Sequence, residues 1–168
     1  PPFVRALIGQ DPVAPLTNDD VSRIRGDSPS AGGLIVVGSH VDLTTRQLDR
    51  LRERHPVLEL EIDAATVLGQ DGPAHLESVI SAAAEGLRES DVIVRTSRKL
   101  IEGVDGDDSL RIAREVSDAV VTVVRRVLDI TPPGFVIAKG GITSSDVAAR
   151  GLEIGRAVVR GPMQPGII

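Results

Sequence analysis

Cysteine, tryptophan and tyrosine are absent from this chain, and its aromatic side chains come down to Phe3 and Phe135. Without cysteine there is no disulfide framework, no thiolate metal site and no cysteine nucleophile. That usage suits a reducing compartment and makes the cytoplasm the expected location. Lysine occurs only at positions 99 and 139, net charge is −5, and no aromatic platform exists, so no sustained contact with a nucleic-acid backbone is expected. No apolar run approaches the roughly 18 to 20 residues that cross a bilayer. The N-terminus also lacks a basic region followed by an apolar stretch, so no membrane partner is expected.

What is present is aliphatic. The 168 residues are 41% hydrophobic, carried almost wholly by Val, Ile, Leu and Ala, enough for one substantial core and too little for two ordinary domains. Such a core interdigitates branched side chains instead of stacking rings, which suits strands covered on both faces by helices.

Residues 1–32 run through Pro1, Pro2, Pro12 and Pro15 to a Ser/Pro/Gly cluster at 27–33, and read as a connecting segment with room for one helix. From residue 33 the pattern turns regular, and residues 33–168 are expected to form the domain. Gly33 to Ser39 is a short apolar run bounded by glycine, the mark of a strand buried on both faces. Thr44 or Thr45 is placed to cap the next helix, whose Leu48 and Leu51 make a buried stripe before Pro56. Val57 to Ile62 alternates apolar and acidic residues and predicts a strand near the sheet edge. Asp71-Gly72-Pro73 introduces a helix to about Arg88, with Leu76, Val79, Ile80, Ala83 and Leu87 on one face. Asp91 to Arg95 predicts the next strand. The longest helix follows over about 109–129, with Leu110, Ala113, Val116, Val120, Val123, Val124 and Val127 inward. Pro132-Pro133-Gly134 stops it, Phe135 to Ala138 predicts a buried strand, 144–152 a short helix, and Arg156 to Arg160 a last strand. Strands alternating with helices predict an α/β fold: a single three-layer domain with a mostly parallel sheet and helices on both faces.

In such a sheet, ligands bind beyond the carboxyl ends of the strands. After the 135–138 strand, Lys139-Gly140-Gly141-Ile142-Thr143 turns at once into a helix, where free N–H groups and the helix dipole favour phosphate oxygens. Thr143 fits the N-cap with Asp146 three residues on, an acidic variant of a capping box, and Lys139 can add a point charge. The same residues also describe an ordinary strand-to-helix turn, since this is neither a Walker A motif nor a three-glycine dinucleotide fingerprint. Ser39 could bond a nucleotide or merely complete a turn. His40 has no identifiable carboxylate partner and reads as structural, Arg98 could reach a phosphate but reads rather as a surface ion pair, and His55 and His75 read as surface residues. No His/Asp/Glu spacing predicts a metal site, so a divalent ion would arrive with a nucleotide.

Several stretches, in order, carry a broader likeness: Phe3 to Leu7, Val36 to Val41, Thr44 to Leu48, Thr96-Ser97-Arg98, Ala138 to Ala148 and Gly161 to Gly166. Together they resemble the C-terminal, nucleotide-binding domain of the four-carbon acid sugar kinases, and Lys139-Gly140-Gly141-Ile142-Thr143-Ser144-Ser145-Asp146 is the most specific of them. The resemblance implies a two-domain enzyme that phosphorylates a small sugar acid such as threonate, erythronate or a 2-keto relative with ATP, its magnesium carried on the nucleotide. It also implies that Ser39, Gly140, Gly141, Ile142 and Thr143 bind ATP, with Lys139 and Ser144 as further phosphate contacts. Adenine is then expected between aliphatic side chains. The family's N-terminal substrate domain, which brings the sugar acid and the acidic catalytic residue, and a further glycine beyond Ile168 are not in this sequence. This chain alone is therefore expected to be inactive. A non-catalytic module that binds a phosphorylated metabolite, and a purely structural oligomerisation domain, are the alternatives; a homodimer is left open.

Overall fold

The computed structural model describes residues 14–25, 32–38, 41–97, 101 and 103–162. Two compact units emerge, one of residues 1–27 with 156–168 and a larger one of residues 28–155. In the first, helix α1 (Asn18–Arg25) starts at a reciprocal cap. Thr17 N–H donates to Asp20 Oδ2 at 3.0 Å and Asp20 N–H to Thr17 Oγ1 at 3.2 Å, satisfying two amides that helix geometry leaves free. This is the helix for which the early segment had room; the Phe3 to Leu7 stretch lies outside the described residues. The last strand expected over Arg156 to Arg160 does not form. Those residues are exposed, Val159 to 89%, and no strand among the described residues pairs with them.

The larger unit holds the α/β fold. Strands β1 (Leu34–Val37), β2 (Val57–Ile62), β3 (Asp91–Thr96) and β4 (Val136–Lys139) form one parallel sheet in the order β2-β3-β1-β4. β1 lies second from one edge, with Val36 opposite Val94 on one side and Ala138 on the other. All four of its residues are buried, as its unbroken Leu-Ile-Val-Val run requires. β2, with Glu59 and Glu61 among its apolar residues, is the edge strand its alternation predicted.

Helix α2 (Asp42–Arg54) covers one face, where Leu48 joins Ile35, Val37 and Ile93. The other face carries α4 (Gly72–Gly86) and the long α5 (Gly106–Ile130), whose Val79, Ile80, Ala83, Val120, Val123, Val124 and Val127 close over Leu34, Val36, Val92 and Val94. A short helix α3 (Ala64–Val67), too brief for any periodicity, links β2 to α4. The crossover from β1 to β2 runs one way across the sheet over one face. Those from β2 to β3 and from β3 to β4 run the other way over the opposite face, as a single right hand demands.

Three expectations change. α2 begins at Asp42 with Val41 at its N-cap and no side-chain cap; Thr44 instead lies fully buried in the first turn. On α5 the stripe predicted from Leu110 inward is shifted: Leu110 is 56% exposed and Ala113 is exposed, while Ile112, Ala119 and Val121 are buried. The reason is that α5 is longer than the sheet it covers, so its first turns project past the strand ends and only its second half meets the core. His75 is not a plain surface residue, since its Nε2 accepts the Asp63 N–H at 3.0 Å.

Where α2 meets the sheet edge, Arg52 and Arg95 converge on Glu59. Arg95 Nε reaches Glu59 Oε1 at 2.5 Å, and Arg95 also pairs with Glu61. Burial pushes the Glu59 carboxyl up, but the bonds from Arg95 and Arg52 outweigh it and hold the group below its ordinary range. A depressed carboxylate contributes stability above its unfolded pKa, about 4.3, that is lost as pH falls through the folded value. In denaturant melts across pH 7 to 2, Glu59→Gln should therefore start less stable and lose less on acidification than the unaltered chain. In the same assay, Leu34→Ala is expected to cost about 2–5 kcal/mol, whereas Leu110→Ala stays within about 0.5 kcal/mol.

Candidate functional site

The sheet's topology singles out one place. The connections leaving the carboxyl ends of β1 and β3, adjacent in the sheet, depart over opposite faces, which opens a crevice between them. A cavity of about 380 Å³ lies at this point, lined by Gly38 after β1, by Thr96 and Ser97 at the end of β3, and by Ala64 at the start of α3. Its wall is the face of α5 that projects past the core, Ile112, Ala113, Val116 and Ser117, with core Val120 at its inner end, and Ile142, Thr143 and Asp146 lie on the other side. Ala113 and Val116, expected to fill the core from α5, thus line a ligand-sized space instead.

Local bonds hold these walls. Asp63 caps α3, accepting from Thr66 N–H and Thr66 Oγ1, both at 2.7 Å, and these bonds hold its carboxyl below the ordinary aspartate range. Ser97 Oγ accepts the Ala64 N–H at 3.1 Å, tying that cap to the end of β3. At the start of α5, Asp105 caps the helix by accepting Asp108 N–H at 2.8 Å, and Ser109 Oγ donates to Asp105 O at 2.8 Å.

The turn after β4 departs from its predicted form. Helix α6 (Gly141–Asp146) begins three residues early, with Gly140 at its N-cap, and runs on into a π-helical turn at Val147–Gly151. Gly140 makes this possible at φ 118° and ψ 137°, a conformation that side chains other than glycine's resist. Thr143 and Asp146 therefore form no capping box. Thr143 packs against Gly38, where an added Cβ would stand 1.9 Å from its Oγ1, and Asp146 Oδ2 accepts from Ser117 Oγ of α5. Ser144 Oγ is turned back to donate to Ala138 O at 2.9 Å. The first i→i−4 bond of α6 is Ser144 N–H to Gly140 O at 2.8 Å, so the amides of Gly141, Ile142 and Thr143 precede the helix's own bonding. Outside its own helical turn, a Cβ on Gly141 would meet no atom of the described residues within 4 Å.

Of the residues expected to bind, Ile142 and Thr143 line the cavity, and Gly140 and Gly141 form the bend beside it. Lys139, last in edge strand β4, lies outside the lining, as does Ser144. Ser39, His40 and Arg98 fall outside the described residues. The cavity face of α5 and the Ser117–Asp146 pair were missed from sequence. Their trace is Ser109, Ala113 and Ser117, small residues at i, i+4 and i+8 along one face of the helix.

Residues 34–168, from the first residue of β1 onward, match the family model for a nucleotide-binding C-terminal domain. This chain belongs to that family, the C-terminal domain of the four-carbon acid sugar kinases. No curated protein matches it. The crevice at the switch point and the glycine bend beside it are, among the described residues, features whose chemistry suits a nucleotide. An apolar slot can house a base, and first-turn amides that precede a helix's own bonding can meet phosphate. Among the described residues no three His, Cys, Asp or Glu side chains gather to hold a metal ion, and no helix is long and apolar enough to cross a membrane.

The two glycines differ in what they require, and thermal melts should separate them. Gly140→Ala is expected to cost about 1–3 kcal/mol through its positive φ. Gly141→Ala should leave stability unchanged or raise it by up to about 1 kcal/mol.

Proposed function

We propose that this chain is the ATP-binding half of a kinase for a small four-carbon sugar acid such as threonate, erythronate or a 2-keto relative. Family membership over residues 34–168 is the observation that carries the reading. It is supported by an aliphatic cavity at the switch point of the sheet, with a glycine-formed helix start at its edge. In this reading adenine lies against Ile112, Ala113 and Val116. The phosphates meet the amides of Gly141, Ile142 and Thr143 across the Gly140 bend, with Ser39 adding a hydrogen bond. Lys139 and Ser144 sit close enough in sequence to contribute at the same turn. Magnesium supplies charge neutralisation on the phosphates when bound, and this chain's residues orient the nucleotide around it.

The sugar acid and the acidic catalytic residue come from an N-terminal substrate domain, for which residues 1–32 serve as the connection, while residues 33–168 form the nucleotide-binding domain. Phosphoryl transfer is mostly a matter of positioning and charge stabilisation. The part proposed for this chain is to hold the γ-phosphoryl group in line with an acceptor hydroxyl. The open space at Gly141 provides a clean test, because a Cβ there comes within 4 Å of no described residue outside its own helical turn. Calorimetric titration of magnesium-ATP should show Gly141→Val binding at least about tenfold more weakly, about 1.4 kcal/mol, with an unchanged melting temperature. Equal heats from both proteins would remove the turn from the site. Recovery of sugar-acid phosphorylation on adding a substrate domain would separate a kinase half from a module that only binds a phosphorylated metabolite.

A further inference from the structure

We infer that Asp146 reads the ribose of the bound nucleotide, so that the site prefers ribonucleotides to 2′-deoxyribonucleotides; this rests on the proposed nucleotide site and specifies one contact within it. The cavity is lined chiefly by aliphatic carbon, and its volume of about 380 Å³ is that of a small-molecule pocket. Its serines are already committed. Ser97 Oγ accepts from Ala64 N–H, Ser109 Oγ donates to Asp105 O and accepts from Gly103 N–H at 3.1 Å, and Ser117 Oγ donates to Asp146.

Asp146 is the one charged side chain in the lining, and among the described residues only one of its carboxylate oxygens, Oδ2, has a donor. Oδ1 is left to accept. Arg150, which feels the Asp146 charge, is itself held by Asp118 at 2.5 Å and provides no bond to it.

A carboxylate repels phosphate and takes hydrogen-bond donors, so the phosphates and Asp146 must meet different parts of the ligand. Asp146 follows Ile142 by four residues, about 6 Å along a helix axis. That sets it one sugar's width from the first-turn amides, where a ribose hydroxyl falls if those amides hold the α- and β-phosphates. The exocyclic amino group of adenine lies at the far end of the base and does not reach it. Ser117 positions the carboxylate: its O–H bond engages Oδ2 and leaves Oδ1 as the oxygen to take a ligand hydroxyl.

Titration of the chain with magnesium-ATP and magnesium-2′-deoxyATP tests this without any substitution. The chain is expected to bind ATP roughly tenfold more tightly, the worth of one hydrogen bond to a charged acceptor. Asp146→Asn, folded by its melting temperature, should bind both at the level of 2′-deoxyATP. Equal affinity of the unaltered chain for the two nucleotides would overturn the ribose contact and leave the nucleotide site standing. Discrimination retained by Asp146→Asn would overturn the role of Asp146. Binding of neither nucleotide by the unaltered chain would overturn the site itself, and the ribose contact with it.

Discussion

Pairing of β1 with a parallel neighbour on each side is the constraint on which the rest depends. Leu34–Val37 has β3 along one edge and β4 along the other, so its carboxyl end cannot be covered by either connection. The chain leaves β1 over one face and β3 over the other, and the gap between these departures is where the cavity opens. A sheet with its strands in sequence order would have every connection running the same way and no such gap. Burying four consecutive aliphatic residues on both faces is what holds β1 at this place, since no edge position offers Leu34 and Val36 a helix on one side and Ile35 and Val37 a helix on the other.

From that end of the sheet, two close approaches shape the site. Gly38 lets Thr143 pack where any Cβ would collide, drawing α6 against the end of β1. Gly140, at a positive φ, starts α6 immediately after β4, so the first-turn amides arrive at the strand ends and not a turn beyond them. Neither contact adds much apolar burial. Their effect is positional: first-turn amides ahead of the helix's own bonding at one edge of the crevice and a carboxylate one turn further along the same helix. This divides the rim into a part suited to an anion and a part suited to a donor. In the proposed nucleotide complex that division follows the ligand's own order of phosphate, sugar and base.

The opposite face is built for stability. Arg52, Arg95, Glu59 and Glu61 tie α2, β2 and β3 together at the sheet edge, away from the cavity lining. α5 serves both purposes. Val120, Val123, Val124 and Val127 seal the core, and the turns before them, freed from the sheet by the length of the helix, offer Ile112, Ala113 and Val116 to the cavity. An aliphatic stripe of constant chemistry thus changes role along its length.

The order of the four sheet strands and their main helices, the parallel sheet and the glycine turn were legible in the chain, because continuous Val/Ile/Leu runs, 3.6-residue stripes and glycine punctuation are local signals that report burial directly, whereas the exposed Arg156 to Arg160 run was misread as a strand. The family resemblance was legible for the same reason, carried by contiguous stretches. Which apolar positions are buried was not. Leu110, Ala113 and Val127 look alike along a helix, and only the extent of the sheet beneath decides which of them meet a core. The start of α6 was misplaced because Thr143 and Asp146 satisfy a local capping rule that Gly140 pre-empts. The Ser117–Asp146 bond was invisible because it joins residues on two helices, brought together only when α5 and α6 pack at the same strand ends. The sequence by itself determined the main strands and helices of the sheet and where the glycine bend falls after β4. The tertiary structure decided which side chains share a cavity, since that depends on strand order and helix overhang, properties of no single segment.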